Sequence, residues 1–327
     1  MHPTLLVLLT GAVLMTLCFT LRLHRQHLPI KYAWTALPLS LLLGFVLGKC
    51  VYVLCLAARL FPRYGFSAFL RMELTEFSFL GIMAGVLLGA VAACKIHKTR
   101  MLPVLDAFAP AFALFAAFVK GSEYFLGMHG VGAYLESENL FFFPLAVKNE
   151  WDEYFLAVFM IYAILALVIA LLAALFSKKV QHVPGVLFEV TVYQLSVVLI
   201  LCENLRAQTI TWGFVKAEQL LAALICLAVL IRSCWAYPRK TVTHKDGPTS
   251  TLVRKGGKLQ SPDHVSPIKR FWPIVAIFAC AGLLITVIFA LDGKIPAISN
   301  TMAYIIMALT LISMCVLSLH TSRRRIR

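Results

Sequence analysis

The chain has 327 residues, of which 61% are apolar and only 14% charged, whereas soluble domains run at about 45–50% apolar and about 25% charged. That balance excludes a disordered chain, a disulfide scaffold and an ordinary soluble enzyme, and it predicts an all-α polytopic membrane protein. The net charge of +15 is, in such a protein, first a matter of topology rather than of nucleic acid, which is not expected as a partner.

Runs of about 20 apolar residues, enough to cross the hydrocarbon, lie near residues 4–21, 33–58, 77–94, 103–127, 153–177, 185–203, 215–235, 271–291 and 299–319. They predict nine transmembrane helices. The first is not read as a cleavable signal, because Met1-His2-Pro3-Thr4 lacks Lys and Arg and basic residues follow the apolar run. With the N-terminus outside, the cytoplasmic segments collect 21 of the 30 Lys and Arg residues, while eleven of the 15 acids fall on or near the other side. The expected topology is therefore N-out/C-in.

Cys18, Cys50, Cys55, Cys94, Cys202, Cys226, Cys234, Cys280 and Cys315 lie mostly inside apolar runs, with no CxxC pair and no His at ligand spacing. They read as small buried hydrophobes, so neither a metal site nor a cofactor is expected. The basic stretch Arg239–Arg270, with its Gly247-Pro248-Thr249-Ser250 and Gly256-Gly257, reads as a flexible cytoplasmic linker suited to anionic headgroups. The expected organisation is a seven-helix membrane body over 1–235, this linker over 236–270, and a C-terminal helix pair with a basic tail over 271–327.

Ionisable residues inside apolar spans are costly and mark candidate sites. Lys49 sits deep in the second span, Lys120 and Glu123 close the fourth, and Glu203 and Arg206 stand three apart at the end of the sixth, on one helical face. Asp106 lies near the start of the fourth, Gln219 early in the seventh, and His129 just beyond the fourth. Each also has a structural reading. Asp106 suits a helix start, and Lys120–Glu123 and Glu203–Arg206 suit self-neutralising pairs. Lys49 suits a snorkelling cation, Gln219 an interhelical hydrogen bond and His129 an interface histidine. Under the expected topology, Lys49, Lys120 and Arg206 gather in the outer half of the membrane beside Gly121, Ser122 and Gly127. Such a cluster suits an anionic lipid headgroup.

These residues fall in a familiar order. Leu47-Gly48-Lys49-Cys50-Val51-Tyr52-Val53-Leu54 and Phe77-Ser78-Phe79-Leu80-Gly81-Ile82-Met83-Ala84-Gly85 are followed by Leu105-Asp106-Ala107-Phe108-Ala109-Pro110 and Lys120-Gly121-Ser122-Glu123-Tyr124. Glu203-Asn204-Leu205-Arg206 and Glu218-Gln219-Leu220 complete the series. In this order and spacing, residues 33–235 resemble the prolipoprotein diacylglyceryl transferases, bacterial plasma-membrane enzymes that move diacylglyceryl from phosphatidylglycerol to a lipobox cysteine. The resemblance leaves Gly81, Gly85, Asp106, Pro110, Gly121, Gly127, Glu203, Arg206 and Gln219 in place. Lys49 and Lys120 stand where the family has arginines, and Leu80 where it has a histidine.

What the resemblance implies is a divergent transferase in lipoprotein biosynthesis, with an anionic phospholipid and a prolipoprotein as partners. In that expectation Arg206 and Lys120 hold the departing phosphate, and Glu123, Glu203 or His129 takes the thiol proton that Leu80 cannot accept. Lys49, Gly81, Gly85, Asp106, Gly121, Gly127 and Gln219 are the expected substrate-binding residues. Phe141-Phe142-Phe143-Pro144, in the acidic segment 128–152, suits an interfacial cap. The alternative is a non-catalytic lipid-binding or scaffolding relative. A transporter is disfavoured, since neither internal repeats nor paired broken helices are visible.

Overall fold

The computed structural model describes residues 2–136, 138–180, 183–207, 209–212 and 215–235, together with 302, 305, 306, 309, 310, 312 and 313. The chain divides into two units, residues 1–229 and 230–327. The predicted linker and eighth span, and most of the ninth, lie outside the described residues.

The first unit is built from long apolar helices: α1 (Pro3–Arg25), α2 (Lys31–Cys55), the short α3 (Ala57–Tyr64), α4 (Phe79–Ile96), α5 (Met101–Gly121), α6 (Val158–Val180), α7 (Val186–Leu205) and the larger part of α8 (Ala217–Trp235). Among the described residues, six stretches are long and apolar enough to cross a membrane. They are α1, α2, α4, α7, Met101–Leu126 and Val158–Ser177. The chain is thus a multi-pass helical membrane protein, and α8 occupies the seventh predicted span. The second span is shorter than the sequence suggests. Its helix stops at Cys55, and α3 continues after a break at Leu56.

Helix α5 is the hub, packing against α1, α4, α6 and α7. It is lined with small residues, Ala107, Ala109, Ala111, Ala113, Ala116 and Ala117 all being buried, and this lets its neighbours approach closely. Conversely, Leu6, Leu9, Val13, Leu17 and Leu21 of α1 stay exposed, as expected of a side chain row facing lipid tails.

The tightest pair is α2 with α4, which run antiparallel. On α4, Gly81, Gly85 and Gly89 recur every fourth residue, opposite Gly48, Gly44 and Ser40 of α2. A Cβ at Gly81 would stand 2.6 Å from the Leu47 carbonyl oxygen, and one at Gly85 or Gly89 would collide with the backbone of Leu43 or Ser40. Only residues without side chains permit that approach, and Ser40 adds a hydrogen bond from Oγ to the Val86 carbonyl (2.9 Å).

α1 packs mainly on α5 and α2 on α4, while α1 and α2 touch each other far less. That divergence leaves a cavity between the two pairs. Its polar end lies at the pole of the bundle that carries the start of α1, called here the N-terminal pole. There the segment between α5 and α6 folds into a small cap. Ala146–Lys148 and Tyr154–Leu156 form a two-stranded hairpin, Tyr134 bridges to Phe155, and Gly132 bridges to Arg206. A second short hairpin, Thr211–Trp212 with Val215–Lys216, leads into α8. At the opposite pole, Arg22 of α1 donates to Ser177 Oγ and to the Ala174 carbonyl (2.6 Å), fastening α1 to α6.

Candidate functional site

The cavity has a volume of about 510 Å³, within the range of a small-molecule site. Its walls are apolar: Leu5, Leu8 and Leu9 of α1, Leu41 and Phe45 of α2, Ile82 and Val86 of α4, and Phe115 and Val119 of α5. Leu5, Leu9, Leu41 and Phe45 are at the same time 37–47% exposed, so these lining side chains also form part of the outer flank of the bundle. The cavity therefore opens sideways between α1 and α2. Its polar end is lined by Ser122, Glu123, His129, Arg206 and Glu218.

Glu123 organises that end. Its Oε1 accepts from Lys120 Nζ at 2.9 Å, and its Oε2 accepts from Arg206 at 3.3 Å. Arg206 also donates to Glu203 at 3.2 Å, and Lys216 Nζ donates to the Glu203 carbonyl at 3.0 Å. The local fold makes this possible. A 3₁₀ turn over Ser122–Leu126 brings Glu123 back over the end of α5, and Gly130, at φ +81°, leaves room for its carboxylate where a Cβ would collide. Arg206 leaves α7 in an extended conformation and pairs with the cap through Gly132. Burial disfavours its charge, yet Glu123, Glu203 and Glu218 together outweigh that effect and hold the guanidinium pKa above its usual value. Lys120 Nζ lies 4.7 Å from the centre of the Phe79 ring, a cation–π contact that adds to its pairing.

Glu218 is 3% exposed and fixes the start of α4, its Oε1 accepting from Ser78 Oγ (2.9 Å) and from the Phe79 amide (2.7 Å). Its Oε2 has no hydrogen-bond partner among the described residues, and the same holds for Arg206 Nε. His129 Nε2 lies 3.3 Å from the Thr75 carbonyl. A carbonyl only accepts, so Nε2 carries the hydrogen and Nδ1 of the neutral ring is the basic nitrogen.

The predicted residues do not all meet. Glu123, Arg206 and His129 line the cavity, and Glu203 joins them through Arg206. Lys120 belongs to the network, but its side chain turns to Phe79 and Tyr162 and does not line the cavity. Lys49 is buried, and its Nζ donates to Glu76 at 2.6 Å; it lies behind the Tyr52 and Phe77 rings, which line the cavity, and is not itself part of the lining. Gly81 and Gly85 serve the α2–α4 contact. Gly121 packs on Ala163, and Gly127 stands in open space at φ +70°. Gln219 is buried, with its Nε2 unpartnered among the described residues, and lies outside the lining. Asp106 sits at the opposite pole, where it accepts from the Gly185 amide (2.5 Å) and the Phe188 amide (2.9 Å). It does stabilise a helix start, but that of α7 rather than of its own helix. Leu80, too, lies outside the lining, between Phe79 and Ile82.

Three residues at this pole had no place in the predicted site. Glu76 precedes the second motif in an extramembrane segment, where an acid carries no burial signal. Glu218 was visible only as a neighbour of Gln219. Arg59 lines the cavity from α3, which starts at the end of the predicted second span and runs on past it. Among the described residues, no group of three His, Cys, Asp or Glu side chains is placed to hold a metal ion. Compared with known proteins, the chain matches no family model and no curated sequence.

Proposed function

We propose that this chain is a divergent diacylglyceryl transferase-like enzyme of a bacterial plasma membrane, oriented N-out/C-in. It takes an anionic glycerophospholipid sideways into the cavity between α1 and α2 and passes the diacylglyceryl group to the thiol of a lipoprotein precursor. The observation that carries this reading is the cavity itself, apolar along its length, open on the flank of the bundle and ending in Glu123, His129, Arg206 and Glu218. An amphiphile fits that gradient: its chains lie along the leucines and its headgroup at the polar end.

In the reaction the thiol sulfur bonds to the glyceryl C3 carbon, and the C3–O bond breaks. The glycerol phosphate departs with the bonding pair. His129 Nδ1 is the acceptor for the thiol proton, since both oxygens of Glu123 are already held by cations. Arg206, kept charged by its three carboxylates, offsets charge on the departing phosphate.

A second reading, lipid binding without chemistry, draws on a specific feature. Lys120 and Lys49 are each neutralised by a glutamate and do not line the cavity, which leaves fewer cations for a leaving phosphate. Complementation separates the two. The chain is expressed in a bacterium depleted of its own diacylglyceryl transferase, and lipid modification of a reporter lipoprotein is followed. Modification that disappears with Arg206→Ala and His129→Ala supports the enzyme; no modification by inserted, stable protein supports the binding reading.

A further inference from the structure

We infer that Arg59, on α3, receives the phosphate diester of the lipid that enters the cavity, an inference that rests on the lipid reading above. The cations of the N-terminal pole decide it by elimination. Lys49, Arg71, Lys120, Lys148 and Arg206 each stand within ion-pair distance of a carboxylate. Among the described residues, two Lys or Arg side chains, Arg59 and Arg206, line the cavity. Arg206 gives its two terminal nitrogens to Glu123 and Glu203. Arg59 has no carboxylate partner among the described residues.

Position supports the same assignment. Tyr52, Leu56 and Arg59 all line the cavity. Their spacing of four and then three residues keeps one face turned toward it across the break at Leu56. None of the α3 side chains is buried, and Phe61, Tyr64 and Phe66 around it are exposed. An exposed Tyr such as Tyr64 suits the headgroup level of a membrane, where a lipid phosphate resides. Glu123 and Glu203 already occupy the terminal nitrogens of Arg206, which leaves that guanidinium fewer donors for an arriving phosphate. The Arg59 guanidinium, with no carboxylate partner among the described residues, presents two parallel donors that match phosphate oxygens. Arg59 thus captures and selects the lipid, while Arg206 acts at the reacting end.

The test is retention of defined lipids by the full chain in detergent, read by native mass spectrometry with phosphatidylglycerol and diacylglycerol as probes. Wild type retains phosphatidylglycerol in preference to diacylglycerol. Arg59→Gln lowers retention of phosphatidylglycerol about tenfold and leaves diacylglycerol unchanged, and Arg59→Lys recovers part of the loss. Arg63→Gln, on the same helix but outside the lining, has no effect. Excess glycerol 3-phosphate fails to displace the lipid, which separates a headgroup from a free phosphate as the ligand. Unchanged retention in Arg59→Gln, an equal loss in Arg63→Gln, or displacement by glycerol 3-phosphate overturns the assignment. The cavity reading fails separately, if Leu9→Trp with Leu41→Trp leaves both lipids bound as before.

Discussion

Glu123 and Arg206, 83 residues apart in the chain, meet at 3.3 Å where the end of α5 reaches the end of α7. The contact joins two pairs that are each local, Lys120 with Glu123 and Glu203 with Arg206, both three residues apart. The result is an alternating chain of charges largely screened from solvent. Removing one member of a buried network costs about 3–5 kcal/mol, because the charges left behind lose their compensation. Glu123→Gln is expected to lower thermal stability in detergent accordingly, and adding Lys120→Met is expected to recover part of it. Strictly additive losses would show that the network is not energetically coupled.

The glycines of α4 permit a contrast. Gly85→Ala places a methyl group against the Leu43 carbonyl, which is backbone and cannot swing aside. The cost is expected to reach or exceed the roughly 1–3 kcal/mol of ordinary overpacking, seen as loss of monodisperse protein on size-exclusion chromatography. Gly127→Ala meets nothing within 4 Å, but at φ +70° and ψ −133° it occupies backbone space that is essentially glycine's, at a cost of about 1–3 kcal/mol. Wild-type stability and monodispersity of Gly85→Ala would refute close α2–α4 packing.

Asp106→Ala removes the acceptor for two amides at the start of α7. Loss of such a cap costs about 0.5–2 kcal/mol. Hydrogen exchange should quicken at residues 185–189, while lipid retention should stay at the wild-type level. A selective loss of lipid with unchanged exchange would return Asp106 to the substrate site.

Lys49→Met leaves the largely buried Glu76 carboxylate with only the Arg71 guanidinium, 3.9 Å away, as a counter-charge. That variant is expected to be markedly less stable, and Lys49→Met with Glu76→Gln to regain most of the loss. Because neither side chain lines the cavity, the double variant should retain phosphatidylglycerol as wild type does. A double variant that is stable yet fails to bind lipid would put Lys49 back among the ligand contacts.

The helical body was legible because a membrane span imposes a strong pattern: about 20 apolar residues leave little ambiguity. Lys120, Glu123, Glu203 and Arg206 stood out for the same reason, as charges where charges are costly. What they face was not legible. The spacing leaves Lys120 open as a ligand cation or as the partner of Glu123, and the structure shows the pair; the partner of Lys49, Glu76, lies in a segment where acids are ordinary. Asp106 was assigned to its own helix because side-chain capping of another helix leaves no local spacing to read. Arg59 falls just past the run 33–58, where a cation at the end of a span is ordinary, and the apolar pattern gives no sign that the helix breaks at Leu56 and continues as α3.

The two self-contained pairs bear on how the protein is made. α5 is synthesised well before α7, so Glu123 enters the bilayer before Arg206 exists. It does so with its counter-ion one turn away on the same helix, and Arg206 later arrives with its own. Each helix is electrically neutral at this end when it leaves the translocon, and the bond between them forms only on docking. The cross-link then acts as a register mark, rewarding the one rotation and depth of α7 against α5 that aligns the ends of two already neutral helices.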